Sequence, residues 1–248
     1  MDKSAYVAMT GARASLQAQA GVAHNLANAD SAGFKEALAS TRAFRNEGPG
    51  HPSRVSAVLG DSGFSDRLGP QQATGNPLDV SLKPGFWLAV QAGDGGEGYT
   101  RAGNLQQAAD GRLLSAGRPL LDDNGAPLVV PPNASMSIGH DGTLSIVPQG
   151  QGPEAMAVVG RIRVVSAGRD ALVRGADGLM RNADPGVPLA RAPGDVLTTG
   201  VVEGSNVDAA AALVQMIQLQ RQFEMQVKAI KAADDNAQSA NSLLRLGG

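Results

Sequence analysis

The sequence predicts an α+β chain: long N- and C-terminal helices pair as a coiled coil, and a central antiparallel β-rich domain lies between them. Three observations carry the prediction. All 14 prolines fall between Pro49 and Pro193, so the strongest helix breaker is confined to the middle. Residues 206–246 contain neither glycine nor proline, and residues 1–30 contain only Gly11 and Gly21. At both ends, positions in alternating steps of three and four are mostly apolar, the spacing of a helical seam. The predicted organisation is a helical domain over 1–30 and 206–248, an extended connector over 31–76 and a β domain over 77–205.

The N-terminal helix has Ala5, Met9, Ala12, Leu16, Gln19, Ala23 and Leu26 on its seam. Most of these side chains are small, so a partner helix can approach closely. The helix is expected to stop at "HNLANADSAGFK", residues 24–35. Asn28 tolerates the left-handed conformation that ends helices. Asp30, Ser31 and Gly33 form turns, and Gly33 permits positive φ or a close backbone approach. Phe34 then needs an apolar surface to cover it.

The connector is thin in apolar residues and rich in Gly, Ser and Pro. From residue 77, short strand-like runs such as "PLDVSL" and "FWLAVQ" alternate with turn signals. Asp110-Gly111, Asn124-Gly125, Asp141-Gly142 and Asp177-Gly178 are hairpin-type dipeptides, and their spacing predicts a compact antiparallel domain. The C-terminal helix places Leu213, Met216, Gln220, Phe223, Val227, Ile230, Asp234, Ala237, Asn241 and Leu244 on one seam. Ser205 is the expected N-cap, with Asp208 in the first turn. A helix of about 40 residues spans roughly 60 Å, more than a domain of this size covers. Its seam therefore calls for a partner.

Several function classes find no support. Net charge is −2, which suggests no nucleic-acid partner. The absence of cysteine removes disulfides and thiolate metal sites. No run approaches the ~18 apolar residues of a membrane span, and the N-terminus lacks the layout of a cleaved signal. "GDGGEG" at 93–98 matches a dinucleotide-binding pattern, but turns follow it where a helix N-terminus is required. It reads as a hairpin loop. "DDNG" at 122–125 lacks the remaining ligands of a calcium loop. His24, His51 and His140 are too scattered for zinc, and Asp79 reads as a turn anchor. No enzymatic activity, cofactor, metal or small-molecule substrate is expected.

"YVAMTGARASLQAQAGVAHNLANADSAGFK", "NPLDVSLKPGFWLAV", "YTRAGNLQQAADGRLLSAGRPLL" and "EGSNVDAAAALVQMIQLQRQFEMQVKAIKAADDNAQSANSLL" together resemble the bacterial flagellar rod and hook proteins. His24 stands where the family has the first asparagine of its Asn-Asn-Leu-Ala-Asn core. "RQFEMQVK" looks most like the proximal-rod member. The resemblance implies a rod subunit whose terminal helices form an inner tube of a hollow, torque-transmitting shaft. It implies other copies and neighbouring rod proteins as partners, and export through the flagellar type III apparatus. The assembly residues expected on this reading are Met9, Leu16, Asn25, Leu26, Asn28, Gly33, Phe34, Leu213, Met216, Phe223, Val227, Ile230 and Leu244. A distal-rod or hook-family role is the alternative within the family. Outside it, the alternative is a β-rich secreted hydrolase or binding module with helical dimerisation arms.

Overall fold

The structure is a computed structural model that describes residues 3–45 and 55–246. The chain divides into two compact units, each assembled from separated stretches. The helical unit takes residues 1–27, 37–62 and 208–248, and the β unit takes residues 28–36 and 63–207.

The helical unit holds α1 (Lys3–Ala27), α2 (Ala209–Leu246) and a two-stranded sheet of β1 (Ala37–Arg45) and β2 (Val55–Phe64), whose last residues reach the β unit. The strand pair falls within the span expected as an extended connector, and residues 46–54 of that span lie outside the described residues. At 38 residues, α2 is about 57 Å long. Its N-cap is Asp208, whose Oδ1 accepts the Ala211 N–H at 3.0 Å. Ser205, the expected cap, lies four residues before the helix begins and instead accepts the Val207 N–H.

The two helices pack on each other, but not as the predicted coiled coil. Met9, Leu16 and Leu213, three of its expected knobs, are 55%, 48% and 49% exposed. The buried stripe of α1 keeps Ala12 of that seam but otherwise runs one residue away from it, through Ala8, Ser15 and Val22. On α2 the inward stripe begins at Ala212 and ends at Ala233, with Met216, Leu219, Phe223 and Ile230 half-buried between them. The physical reason lies in side-chain size. Alanine and serine let two helix backbones approach, and Gly11 sits so close to the Gln226 amide that a Cβ there would lie 3.0 Å from it. Knobs-into-holes packing needs large residues on the seam, and here several of the large ones turn outward.

The β unit is built on a six-stranded antiparallel sheet. Its spatial order is 172–174, 180–182, 97–100, 86–91, 164–166 and 190–191. A three-stranded sheet of residues 133–138, 143–148 and 157–161 shares the main core, in which Val80, Leu88, Leu113, Leu120, Leu144 and Val196 are at most 0% exposed. A second core cluster lies around Phe64, Trp87, Ala89 and Val165. There Phe64 meets Trp87 edge-to-face at 5.5 Å, and the Trp87 indole N–H donates to Ala167 O.

The turn dipeptides act as the sequence suggests. Asp110, Asp141 and Asp177 each accept the backbone N–H two residues on, while the following glycine takes positive φ. "GDGGEG" is a hairpin loop between strands 86–91 and 97–100, closed by Ala92 N–H to Gly96 O. Asp122 accepts the N–H groups of Asn124 and Ala126, so its carboxylate closes a turn. Asp79 accepts the Thr74 hydroxyl at 2.6 Å, which makes it the anchor of the turn before strand 80–82.

Candidate assembly interface

Because α1 turns its small face inward, its large apolar side chains remain on the outside of the helical unit, and several of those of α2 lie there too. On α1, Tyr6, Met9 and Leu16 follow steps of three and seven, so they share one exposed stripe. On α2, Leu213 and Ile217 lie one turn apart, and Val214 and Met225 flank them. All are between 48% and 64% exposed. Apolar stripes of this size on a helix pair are what a partner surface would cover. Among the described residues, no helix is long and apolar enough to cross a membrane.

The predicted interface residues fall in several different settings. Met9, Leu16 and Leu213 are on the outer surface and accessible. Leu26, Met216, Phe223, Val227 and Ile230 are half-buried within the helical unit. Asn25 is 5% exposed, and its amide is fully used inside the chain. Its Nδ2 donates to Ala37 O and its Oδ1 accepts the Ala37 N–H, both at 2.9 Å. The side chain thus pairs with the start of β1 as another strand would. The Leu244 side chain lies outside the described residues.

Asn28, Gly33 and Phe34 belong to the β unit. Asn28 does not take the left-handed conformation expected of it; its carbonyl accepts the Ser31 N–H, and its Oδ1 accepts the Ser31 hydroxyl. Gly33 is the residue with positive φ, at +65°. Its N–H donates to Glu203 O at 2.7 Å. A Cβ at this position would lie 2.1 Å from the Arg101 carbonyl carbon, so glycine is required by conformation and by space. Phe34 is half-buried, with the Arg174 guanidinium 5.0 Å from its ring centre. Arg174 also donates to Lys35 O.

Beneath this turn lies a charged node that the sequence did not announce. Glu203 is 1% exposed, and its two oxygens accept from Lys35 Nζ at 2.7 Å, Gly69 N–H at 3.0 Å, and Arg101 Nε and Nη2 at 2.8 and 2.5 Å. Arg101 completes its donor set on the carbonyls of Leu82, Lys83 and Phe86, and it stacks over Trp87. Lys35 also donates to Arg67 O at 2.6 Å. Burial alone would raise the Glu203 carboxyl, but Arg101, Lys35 and the Gly69 N–H together hold it below its usual range. Burial lowers Lys35, only partly offset by Glu203. Of the three, Glu203 alone carries a local signal, a lone charge between Val201–Val202 and Gly204; Lys35 is followed by Glu36, and Arg101 stands between Thr100 and Ala102.

Two family descriptions match the chain: a flagellar hook protein FlgE/F/G D1 domain over residues 85–146, and the C-terminal region of flagellar basal body rod FlgEFG proteins over residues 198–243. The flagellar basal-body rod protein FlgF of Escherichia coli K12 is 41% identical, over 99% of this chain and 100% of that protein. FlgF of Salmonella typhimurium is 39% identical over the same shares. The rod protein FlgG of Bacillus subtilis is 30% identical, over 90% of this chain and 92% of its own length.

Proposed function

The chain belongs to the flagellar basal-body rod proteins, and from that premise we propose that it is a proximal-rod subunit assembling through the outer faces of its terminal helices. It is a structural subunit of the flagellar basal-body rod, and the rod is where it resides. The finer reading concerns how it assembles. The observation that carries it is the outward stripe of Tyr6, Met9 and Leu16 on α1 and of Leu213 and Ile217 on α2. Fully burying one such side chain stabilises by about 1.5–3 kcal/mol, so a handful of half-exposed ones adds up to a useful contact with each neighbour. Those neighbours would be other copies of the chain and adjacent rod proteins, stacked into a hollow shaft that carries torque. Passage through the flagellar type III export apparatus fits a chain with no cysteine to cross-link on the way. The relatives carry the names of rod components, and no catalytic step is assigned to this chain.

The test is mass spectrometry of isolated basal bodies from strains carrying the native chain or Ile217→Asp. The native chain is expected in the rod fraction. The variant is expected to be missing from it while the isolated protein keeps the native far-UV circular dichroism of its two helices. A motile strain carrying Ile217→Asp would refute the outer-face assignment, and absence of the native chain from basal bodies would refute the rod reading itself.

A further inference from the structure

The chain passes between its two units at four places, namely 27/28, 36/37, 62/63 and 207/208. Three of the four connecting stretches are bound to one another inside the β unit, and one side chain does most of the binding. Asn206 Oδ1 accepts the Glu36 N–H at 2.7 Å. Asn206 Nδ2 donates to Ser65 O at 3.1 Å and to Arg67 O at 2.9 Å. Its own backbone N–H donates to Phe34 O at 3.2 Å, and Ser65 N–H donates to Glu36 O at 2.9 Å. The stretches 34–36, 65–67 and 206 are therefore joined pairwise, with the Asn206 amide at their centre. An amide is the side chain that fits, since the site needs one acceptor and two donors on a short stem.

We propose that Asn206 is the tie that makes these three connecting strands a single load-bearing bundle. Torque that reaches the connections through any one strand is then shared by all three. This inference rests on the rod-subunit reading. It does not follow from family membership, because it concerns how the strands within one subunit share a force. The Lys35–Glu203–Arg101 node lies alongside and fixes residues 35, 101 and 203 to the sheet, so the bundle is anchored as well as tied.

Asn206→Asp separates the tie from the rest of the fold. The substitution keeps the acceptor, removes both donors and sets a carboxylate against the carbonyls of Ser65 and Arg67. Hydrogen exchange on the purified full chain is the first readout. Repulsion of the carboxylate from these two carbonyls is expected to part 65–67 from 34–36, so the Ser65 amide, bonded to Glu36 O, loses protection by about tenfold, the scale of one lost hydrogen bond, while the Glu36 amide keeps its acceptor. The Ala89 amide, bonded to Arg163 O in the buried sheet, is expected to stay as in the native chain. Equal loss at Ala89 would overturn the proposal, because Asn206 would then be one more part of the β core. The milder Asn206→Ser should fall between the two. The second readout is rotation speed of tethered cells as medium viscosity rises. Rods with Asn206→Asp should form in native number and match native speed at low load, then fall behind or break as load increases. An unchanged speed–load curve would overturn the inference. Absence of the native chain from basal bodies would instead defeat the rod reading and leave the exchange result standing.

Discussion

Glu203→Gln removes the single negative charge from the buried node and leaves Lys35 and Arg101 facing each other. The carboxylate holds four donors at 2.5–3.0 Å, three of them from cations. Removing one partner of a buried ion pair costs roughly 3–5 kcal/mol. The low end applies here, because Lys35 keeps Arg67 O and Arg101 keeps three carbonyls. With a urea slope of about 2 kcal/mol per M, a loss of ~3 kcal/mol lowers the unfolding midpoint by about 1.5 M. The chain contains one tryptophan, Trp87, and it lies in the β unit beside Arg101. Fluorescence therefore follows that unit alone, while far-UV circular dichroism follows mainly the two helices. The expected outcome is a shifted fluorescence midpoint. Acid adds a check on sign. The native carboxyl sits below its unfolded value of about 4.5, so its contribution is complete above that pH and is lost as pH falls through the folded value. Glu203→Gln should lack that component of acid destabilisation. A midpoint shift below about 0.5 M, or an unchanged acid profile, would refute the assignment of Glu203 as the centre of the node.

Gly33→Ala combines positive φ with backbone overlap on Arg101, and should cost ~3 kcal/mol or more, read by the same fluorescence midpoint. Asn25→Ala loses both bonds to Ala37 and should destabilise the helical unit by about 1–3 kcal/mol, with the Ala37 amide losing exchange protection. Burial raises the Tyr99 phenol to about 12, with Glu97 adding to the effect. Stability from Tyr99 is then complete below pH 10 and lost as pH rises towards 12, and absorbance at alkaline pH should show one phenol ionising only near that upper value. A Tyr99 step close to 10 would show that the ring is open to solvent in solution.

What the sequence disclosed depends on how local the cause is. The Asp-Gly turns were legible because the aspartate bonds a neighbour two residues away and the glycine supplies its own conformation. Gly33 was legible as a position of special backbone, although what it approaches, Arg101, was not. The helices were legible as helices, and so was much of the inward face of α2 through Met216, Phe223 and Ile230, but the contact face of α1 was not. Ala12 and Leu16 count alike as apolar in a periodic pattern, whereas packing buries the small residue and leaves the large one outside. The span 31–76 carried too few apolar residues to announce β1 and β2. Lys35 and Glu203 are 168 positions apart, and no local rule pairs two charges across that distance. Asn206 and Glu36 are 170 apart, and they escape for the same reason.

The discontinuous make-up of the helical unit sets an order of events in time. Its first piece is residues 1–27 and its last begins at residue 208. A chain made from its N-terminus exposes the alanine face of α1 for the whole interval in which the intervening 180 residues are delivered. That face is low in bulk and offers a passing hydrophobic segment little to grip. The bulky residues of α1, Tyr6, Met9 and Leu16, lie off that face and stay available to a partner surface. Closure then comes last, once α2 arrives. The same small side chains that bring the backbones together in the finished subunit keep its first helix quiet until there is something to close upon.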